Sequence, residues 1–80
     1  MKLPRNISAR DLIKALATLG YGITRQKGSH IRVTTQQEGT HHLTIPDHAP
    51  IRVGTLASIL GDVADHFGIS RDELLERLFG

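Results

Sequence analysis

The stretch Arg25-Gln26-Lys27-Gly28-Ser29-His30-Ile31-Arg32-Val33 constrains the fold more than any other part of the chain. A glycine stands between two runs suited to extended backbone, and only glycine takes left-handed turn geometry at little cost. Lys27-Gly28 is therefore predicted to turn one strand, over residues 21–26, back on a second over 29–35. In the second strand Ile31 and Val33 alternate with His30, Arg32 and Thr34, so the two sets point to opposite faces. The first strand presents Tyr21 and Ile23 to one face. Gln36-Gln37-Glu38-Gly39 makes the next turn, and a third strand over 40–45 repeats the alternation, with Leu43 and Ile45 inward and His42 and Thr44 outward. Strands joined by tight turns are antiparallel. One face of this sheet is apolar and the other carries imidazole, hydroxyl and guanidinium groups, so helices must cover the first.

The flanking segments supply those helices. Residues 1–7 read as an extended lead-in. Ser8-Ala9-Arg10-Asp11 is a helix start: the Ser8 hydroxyl can accept from the Asp11 amide, and Asp11 sits where the helix dipole favours an anion. Ile7 and Leu12 are placed as a hydrophobic staple. Leu12, Ile13, Leu16, Ala17 and Leu19 form a stripe at helical spacing, and Gly20 is set to end a first helix over 9–19. Pro46 closes the sheet, and 47–52 is a loop bent at Pro50. A second helix runs from Val53 to about His66, with Leu56, Ile59, Leu60, Val63 and Phe67 as its buried stripe. Gly68 stops it. Ser70-Arg71-Asp72-Glu73 is a capping box for a short third helix over 70–79, stapled by Ile69 and Leu74, with Leu75 and Leu78 on the same side. The predicted class is α+β: an α-β-β-β-α order with a three-stranded antiparallel sheet, helices on one face and a short C-terminal helix.

Eighty residues suit one domain spanning 1–80. A chain of this size buries only about 60% of the surface its unfolded form exposes, so a substrate is expected to lie across the surface, which favours a polymer. There is no cysteine, hence no disulfide framework and no thiolate zinc site. No apolar run approaches the roughly 20 residues that span a bilayer, and Met1 to Asn6 lacks the apolar core of a signal peptide. The expectation is a soluble cytoplasmic protein without a membrane partner. Net charge is only +2, but it is unevenly placed. Residues 1–53 hold eight cations against three anions, and residues 54–80 hold two cations against five anions. A basic front of this kind attracts phosphate.

The candidate chemistry centres on the five histidines. His66 falls at a helix end, where a cation is welcome, and is read as structural. His41 and His42 are adjacent on a strand and point to opposite faces, so they cannot share a metal. Nothing in the sequence enforces the geometry of a three-histidine zinc site on His30, His42 and His48; no cofactor is expected. His30 differs in its surroundings. It follows a glycine turn whose amides can meet an anion, and Arg25, Lys27 and Arg32 lie within a few residues. Imidazole is the side chain that exchanges protons near neutral pH. RNA makes such sparse equipment sufficient, because the 2′-hydroxyl beside the scissile phosphate is a built-in nucleophile. The protein has only to move a proton, align the backbone and neutralise charge. Ser29 as a nucleophile is the weaker reading, since no carboxylate completes a triad. Three alternatives stand beside a ribonuclease: a non-catalytic RNA-binding module using the same face, a pure protein-interaction domain, and a strand edge whose cations only deter aggregation.

Three blocks resemble a known family. Arg25-Gln26-Lys27-Gly28-Ser29-His30 is similar to the signature turn and strand of the HicA toxins, the YcfA-like mRNA interferases of bacterial type II toxin–antitoxin pairs. Ile45-Pro46-Asp47-His48 is similar to their strand-end proline and loop histidine. Arg52-Val53-Gly54-Thr55-Leu56-Ala57-Ser58-Ile59-Leu60 resembles their second-helix opening, where lysine is commoner than Arg52. The opening segment 8–22 also fits, and the resemblance covers residues 8–67. It implies a fold like a double-stranded-RNA-binding domain and ribosome-independent cleavage of mRNA as single-stranded RNA, part of a stress response. His30 would be catalytic by its place in the motif, and a HicB-like antitoxin would mask the basic front. The residues expected to hold RNA are Arg25, Lys27, Gly28, Ser29, Arg32, His42, His48 and Arg52. The acidic tail over 70–80 lies beyond the common core, and its role is left open.

Overall fold

A computed structural model describes residues 2–80; Met1, the head of the expected lead-in, lies outside the described residues. The elements run α1 (Ala9–Leu16), β1 (Gly22–Lys27), β2 (His30–Thr35), β3 (His41–Pro46), α2 (Val53–Phe67) and α3 (Arg71–Phe79). The architecture is α+β, a three-stranded antiparallel sheet in the order β1-β2-β3 with the helices packed on one face. That arrangement is consistent with a double-stranded-RNA-binding-like fold.

The helix caps form as the local chemistry requires. The Ser8 hydroxyl accepts from the Asp11 amide at 3.1 Å, and the Ser70 hydroxyl accepts from the Glu73 amide at 3.1 Å. The predicted helix over 9–19 divides: α-helix ends at Leu16 and Ala17–Leu19 winds on as a 3₁₀ turn. Gly20 then ends it at φ 83°. A Cβ at this position would lie 2.7 Å from Thr35 Oγ1 and 2.8 Å from Gln37 Nε2, so both backbone geometry and space call for glycine. Thr35, buried at the end of β2, donates to the Leu19 carbonyl at 2.7 Å and accepts from the Gln37 amide at 3.1 Å. Its hydroxyl thus ties the end of the first helical segment to the sheet at no desolvation loss.

The lead-in departs from the extended expectation. Asn6 takes φ 59°, and the backbone bends before Ile7 enters the core. Ile7 is then anchored to the loop after β3, its carbonyl accepting from the Ile51 amide at 2.8 Å, while the Ala9 amide donates to His48 at 3.0 Å.

The core is one cluster. Leu12 and Leu16 from α1, Ile31 and Val33 from β2, Leu43 and Ile45 from β3, and Leu56, Leu60 and Val63 from α2 are all buried. Leu74 and Leu75 bring α3 into the same cluster, against α1 and α2. The acidic C-terminal segment therefore completes the core. Its five anions, Asp62, Asp65, Asp72, Glu73 and Glu76, all lie on α2 or α3, in the helical layer and behind the sheet.

The first strand differs most from expectation. Ile23 pairs with buried Val33 and so faces the helices, yet it is 49% exposed. β1 is an edge strand that the helical layer leaves uncovered, and every residue in it is exposed. Between Ile23 and Arg25 the register slips by one residue in a β-bulge. Strict alternation through Tyr21 and Ile23 would carry Arg25 and Lys27 to the helical side. The extra residue, Thr24, reverses that, so Arg25 pairs with Arg32 and Lys27 with His30 on the outer face. The hairpin loop is Gly28–Ser29, not Lys27–Gly28; Gly28 takes φ 57° at its first position.

A candidate phosphate-binding depression beside His30

The bulge and the hairpin together build the site. Arg25, Lys27, His30, Arg32 and Thr44 line one open depression of about 210 Å³ on the outer face. It is smaller than the roughly 300–1,000 Å³ of enclosed ligand clefts, and suits a phosphodiester passing over the surface. The lining holds three cations and no carboxylate. Thr44, absent from the expected site, faces the depression because it pairs with Arg32 across the strands. Its outward parity on β3 was the signal that could have found it.

The other expected residues are placed as follows. Gly28 and Ser29 form the loop at the mouth of the hairpin, and the Ser29 carbonyl accepts from the Asp47 amide at 2.7 Å. This bond pins the chain leaving β3 to the turn before His30. His48 lies on that departing loop, exposed, at the His30 end of the sheet, because Pro46 is the cross-strand partner of His30. Arg52 is exposed and precedes α2 as its N-cap residue. Neither His48 nor Arg52 lines the depression. His42 faces outward as expected but stands at the other end, paired with Thr34 and hydrogen-bonded to its hydroxyl at 2.8 Å. Among the described residues no three His, Asp or Glu side chains gather as a metal-binding group.

His41 and His66 serve the opposite face. Their rings stack at 4.3 Å with 9° between planes. His66 Nε2 donates to the Gln37 carbonyl at 2.9 Å. His41 Nε2 lies 3.3 Å from Asp62 Oδ1, and its Nδ1 lies 2.7 Å from the Tyr21 hydroxyl. A carboxylate only accepts, so Nε2 carries the proton toward Asp62, and in the neutral ring Nδ1 accepts from the tyrosine. Burial first, and then the nearby Asp62 carboxylate, push the Tyr21 hydroxyl from the usual 10.0 up to about 12. A hydroxyl whose folded pKa is raised favours the fold below the unfolded pKa and loses that contribution as pH climbs toward the folded value. The Tyr21 contribution to stability should therefore be constant below pH ~10 and decline by at most about 2–3 kcal/mol as pH approaches 12. Denaturant unfolding across that range checks this. Tyr21 is the single tyrosine of the chain, so tyrosinate absorbance reports it alone, and Tyr21→Phe should remove the step.

A larger groove, about 500 Å³, lies between the lead-in, α1 and the end of α3, lined in part by Ile7, Lys14, Leu78 and Phe79. No histidine is among its lining residues. No helix among the described residues is long and apolar enough to cross a membrane.

Neither the curated proteins nor the solved structures gave a match to this chain. A family model described as HicA toxin of bacterial toxin-antitoxin matches residues 9–64, the span from the start of α1 to near the end of α2 that contains the whole sheet and every residue of the depression. The first helix, the glycine hairpin with its histidine, and the second-helix opening all fall within the match, and the chain belongs to the HicA toxin family of toxin–antitoxin systems.

Proposed function

We propose that this toxin is a metal-independent endoribonuclease that cleaves mRNA in the cytoplasm, with His30 as its proton-transfer group. The observation that carries the proposal is the depression itself: one imidazole among three cations and a hydroxyl, without a carboxylate. The substrate's 2′-oxygen attacks the adjacent phosphorus. The new 2′-O–P bond forms as the bond to the 5′-oxygen breaks, leaving a 2′,3′-cyclic phosphate and a free 5′-hydroxyl. One proton leaves the 2′-hydroxyl and one reaches the departing oxygen, and His30 handles one of these transfers. Arg25, Lys27 and Arg32 neutralise the charge that grows on the phosphate oxygens. Thr44, Ser29 and the Gly28 backbone help to hold the strand. His48, at the same end of the sheet, and Arg52 extend the contact to neighbouring phosphates.

The family implies an antitoxin partner. A HicB-like antitoxin that presents acidic groups to this front would block the depression and compete with RNA.

A second reading is supported by one feature. His30 is the only imidazole lining the depression, which also suits an RNA-binding module that does not cut. The two separate on purified protein. The ribonuclease cuts single-stranded RNA in EDTA and leaves an all-deoxy oligonucleotide bound but intact, because the nucleophile is missing. A binding module leaves both intact. In either case binding should weaken steeply with salt, and an Arg25→Ala/Lys27→Ala double variant should lower the log–log salt slope by about 1.4, at ~0.7 per lost phosphate contact. An unchanged slope would remove these two cations from the RNA interface.

A further inference from the structure

The outer face continues past the depression. Along β2, Arg32 and Thr34 follow His30 in two-residue steps, and their partners on β3 are Thr44 and His42. At the far end Thr34 Oγ1 lies 2.8 Å from His42 Nδ1 and 3.0 Å from Thr24 Oγ1. Thr24, the bulged residue, can also donate to the Arg32 carbonyl at 3.4 Å. Neither His42 nor these two threonines line the depression. Four residues of strand set this group about 13 Å from His30, too far for one phosphodiester to touch both imidazoles.

We propose that the Thr24–Thr34–His42 ladder is a second subsite, which reads the base of a nucleotide flanking the phosphate held beside His30. That this base flanks a scissile phosphate rests on the ribonuclease reading; the recognition of a single-stranded base does not. Unpaired bases are bound by stacking on rings such as histidine and by hydrogen bonds to their edges. His42 is exposed and offers both, because Thr34 holds it by Nδ1 and leaves Nε2 free to meet a ligand.

The hydroxyl protons decide what Nε2 offers. Each threonine has one proton to give. If Thr24 donates to Thr34, then Thr34 donates to His42 Nδ1, and Nε2 carries the ring proton. If Thr24 donates instead to the Arg32 carbonyl, then Thr34 is free to donate to Thr24, Nδ1–H donates to Thr34, and Nε2 becomes an acceptor. The first arrangement uses two of the three contacts, whereas the second uses all three, at 2.8, 3.0 and 3.4 Å, so the second is the stronger. Nε2 is then an acceptor, and the subsite selects a base whose exocyclic group at purine C6 or pyrimidine C4 is an amine, adenine or cytosine, over guanine or uracil, which bear a carbonyl there.

The test uses short all-deoxy single strands that differ in one base (guanine, uracil, adenine or cytosine), with anisotropy as the binding readout. The full chain should bind the adenine and cytosine strands about three- to tenfold more tightly, the worth of one hydrogen bond. His42→Ala should abolish the preference. Thr34→Val should abolish it too and shift the His42 ring from the Nδ1–H to the Nε2–H tautomer, seen by nitrogen NMR, whereas Thr34→Ser should keep both. On RNA, the same losses should fall more on KM than on kcat. A preference that survives His42→Ala, or a tautomer unmoved by Thr34→Val, overturns the subsite. A wild type that binds with the preference but never cuts overturns the ribonuclease reading and leaves the subsite standing. Cleavage without any His42-dependent preference does the reverse.

Discussion

His30→Ala is expected to leave the protein as stable as the wild type and to lower RNA cleavage by about 10²–10⁴-fold, the usual contribution of a positioned acid–base group. The two halves of this expectation have separate physical origins. His30 is exposed at the start of β2, and its ring makes no hydrogen bond among the described residues. Truncating it removes little buried surface and leaves no polar group unpaired, and surface changes of this kind usually stay within about 0.5 kcal/mol. Arg25, Lys27 and Arg32 remain around the depression, so RNA should still bind with the wild-type salt dependence. The measurement is single-turnover cleavage of an RNA oligonucleotide in EDTA, alongside a urea denaturation curve. Cleavage at the wild-type rate, with an unchanged denaturation midpoint, would exclude His30 as the proton-transfer group. Growth on expression gives the same comparison in cells, with arrest by the wild type and release by the variant.

Ile31→Ala, one residue along, should do the opposite. Ile31 is fully buried between the helices and the sheet, opposite Ile45 on β3 and Gln26 on β1. Replacing a buried isoleucine by alanine costs about 2–5 kcal/mol, from the lost transfer energy and the cavity left behind. Small domains have only about 5–15 kcal/mol in hand, so the variant should show a clearly lower urea midpoint and a temperature-sensitive toxin. At low temperature, where the chain remains folded, its cleavage should be largely retained, because His30 and the cations project from the other side of the strand. The adjacent pair thus tests alternation directly. One neighbour costs chemistry and the other costs stability; a destabilised His30→Ala or a fully stable Ile31→Ala would contradict the facing of β2.

Much of this was legible without coordinates where the physics is local. Ser8 and Ser70 cap their helices through the amides three residues on, and Gly20 and Gly68 end helices at positive φ. Such bonds span one turn, so the residues that form them are neighbours in the chain. The facing of β2 and β3 was equally legible, because buried Ile31, Val33, Leu43 and Ile45 recur at the strand period. His30, Arg32, His42 and Thr44 then have one face left to occupy. The cationic front and the family resemblance are likewise properties of residue order alone.

Tertiary structure decided the rest. Alternation extended through Tyr21 and Ile23 would send Arg25 and Lys27 toward the helices; the bulge at Thr24 turns both outward to join His30. A bulge arises from the match between two strands, and neither strand announces it by itself. Ile23 looked like a core residue and is half exposed, because burial at a sheet edge depends on how far the helices reach over it. His42 stands on the expected face but four strand residues from His30, and His41 stacks on His66 from a helix far along the chain. Local bonding and periodicity set which way each group points. Distances between groups on different strands come only from the assembled sheet, where cross-strand register and helix packing are settled together.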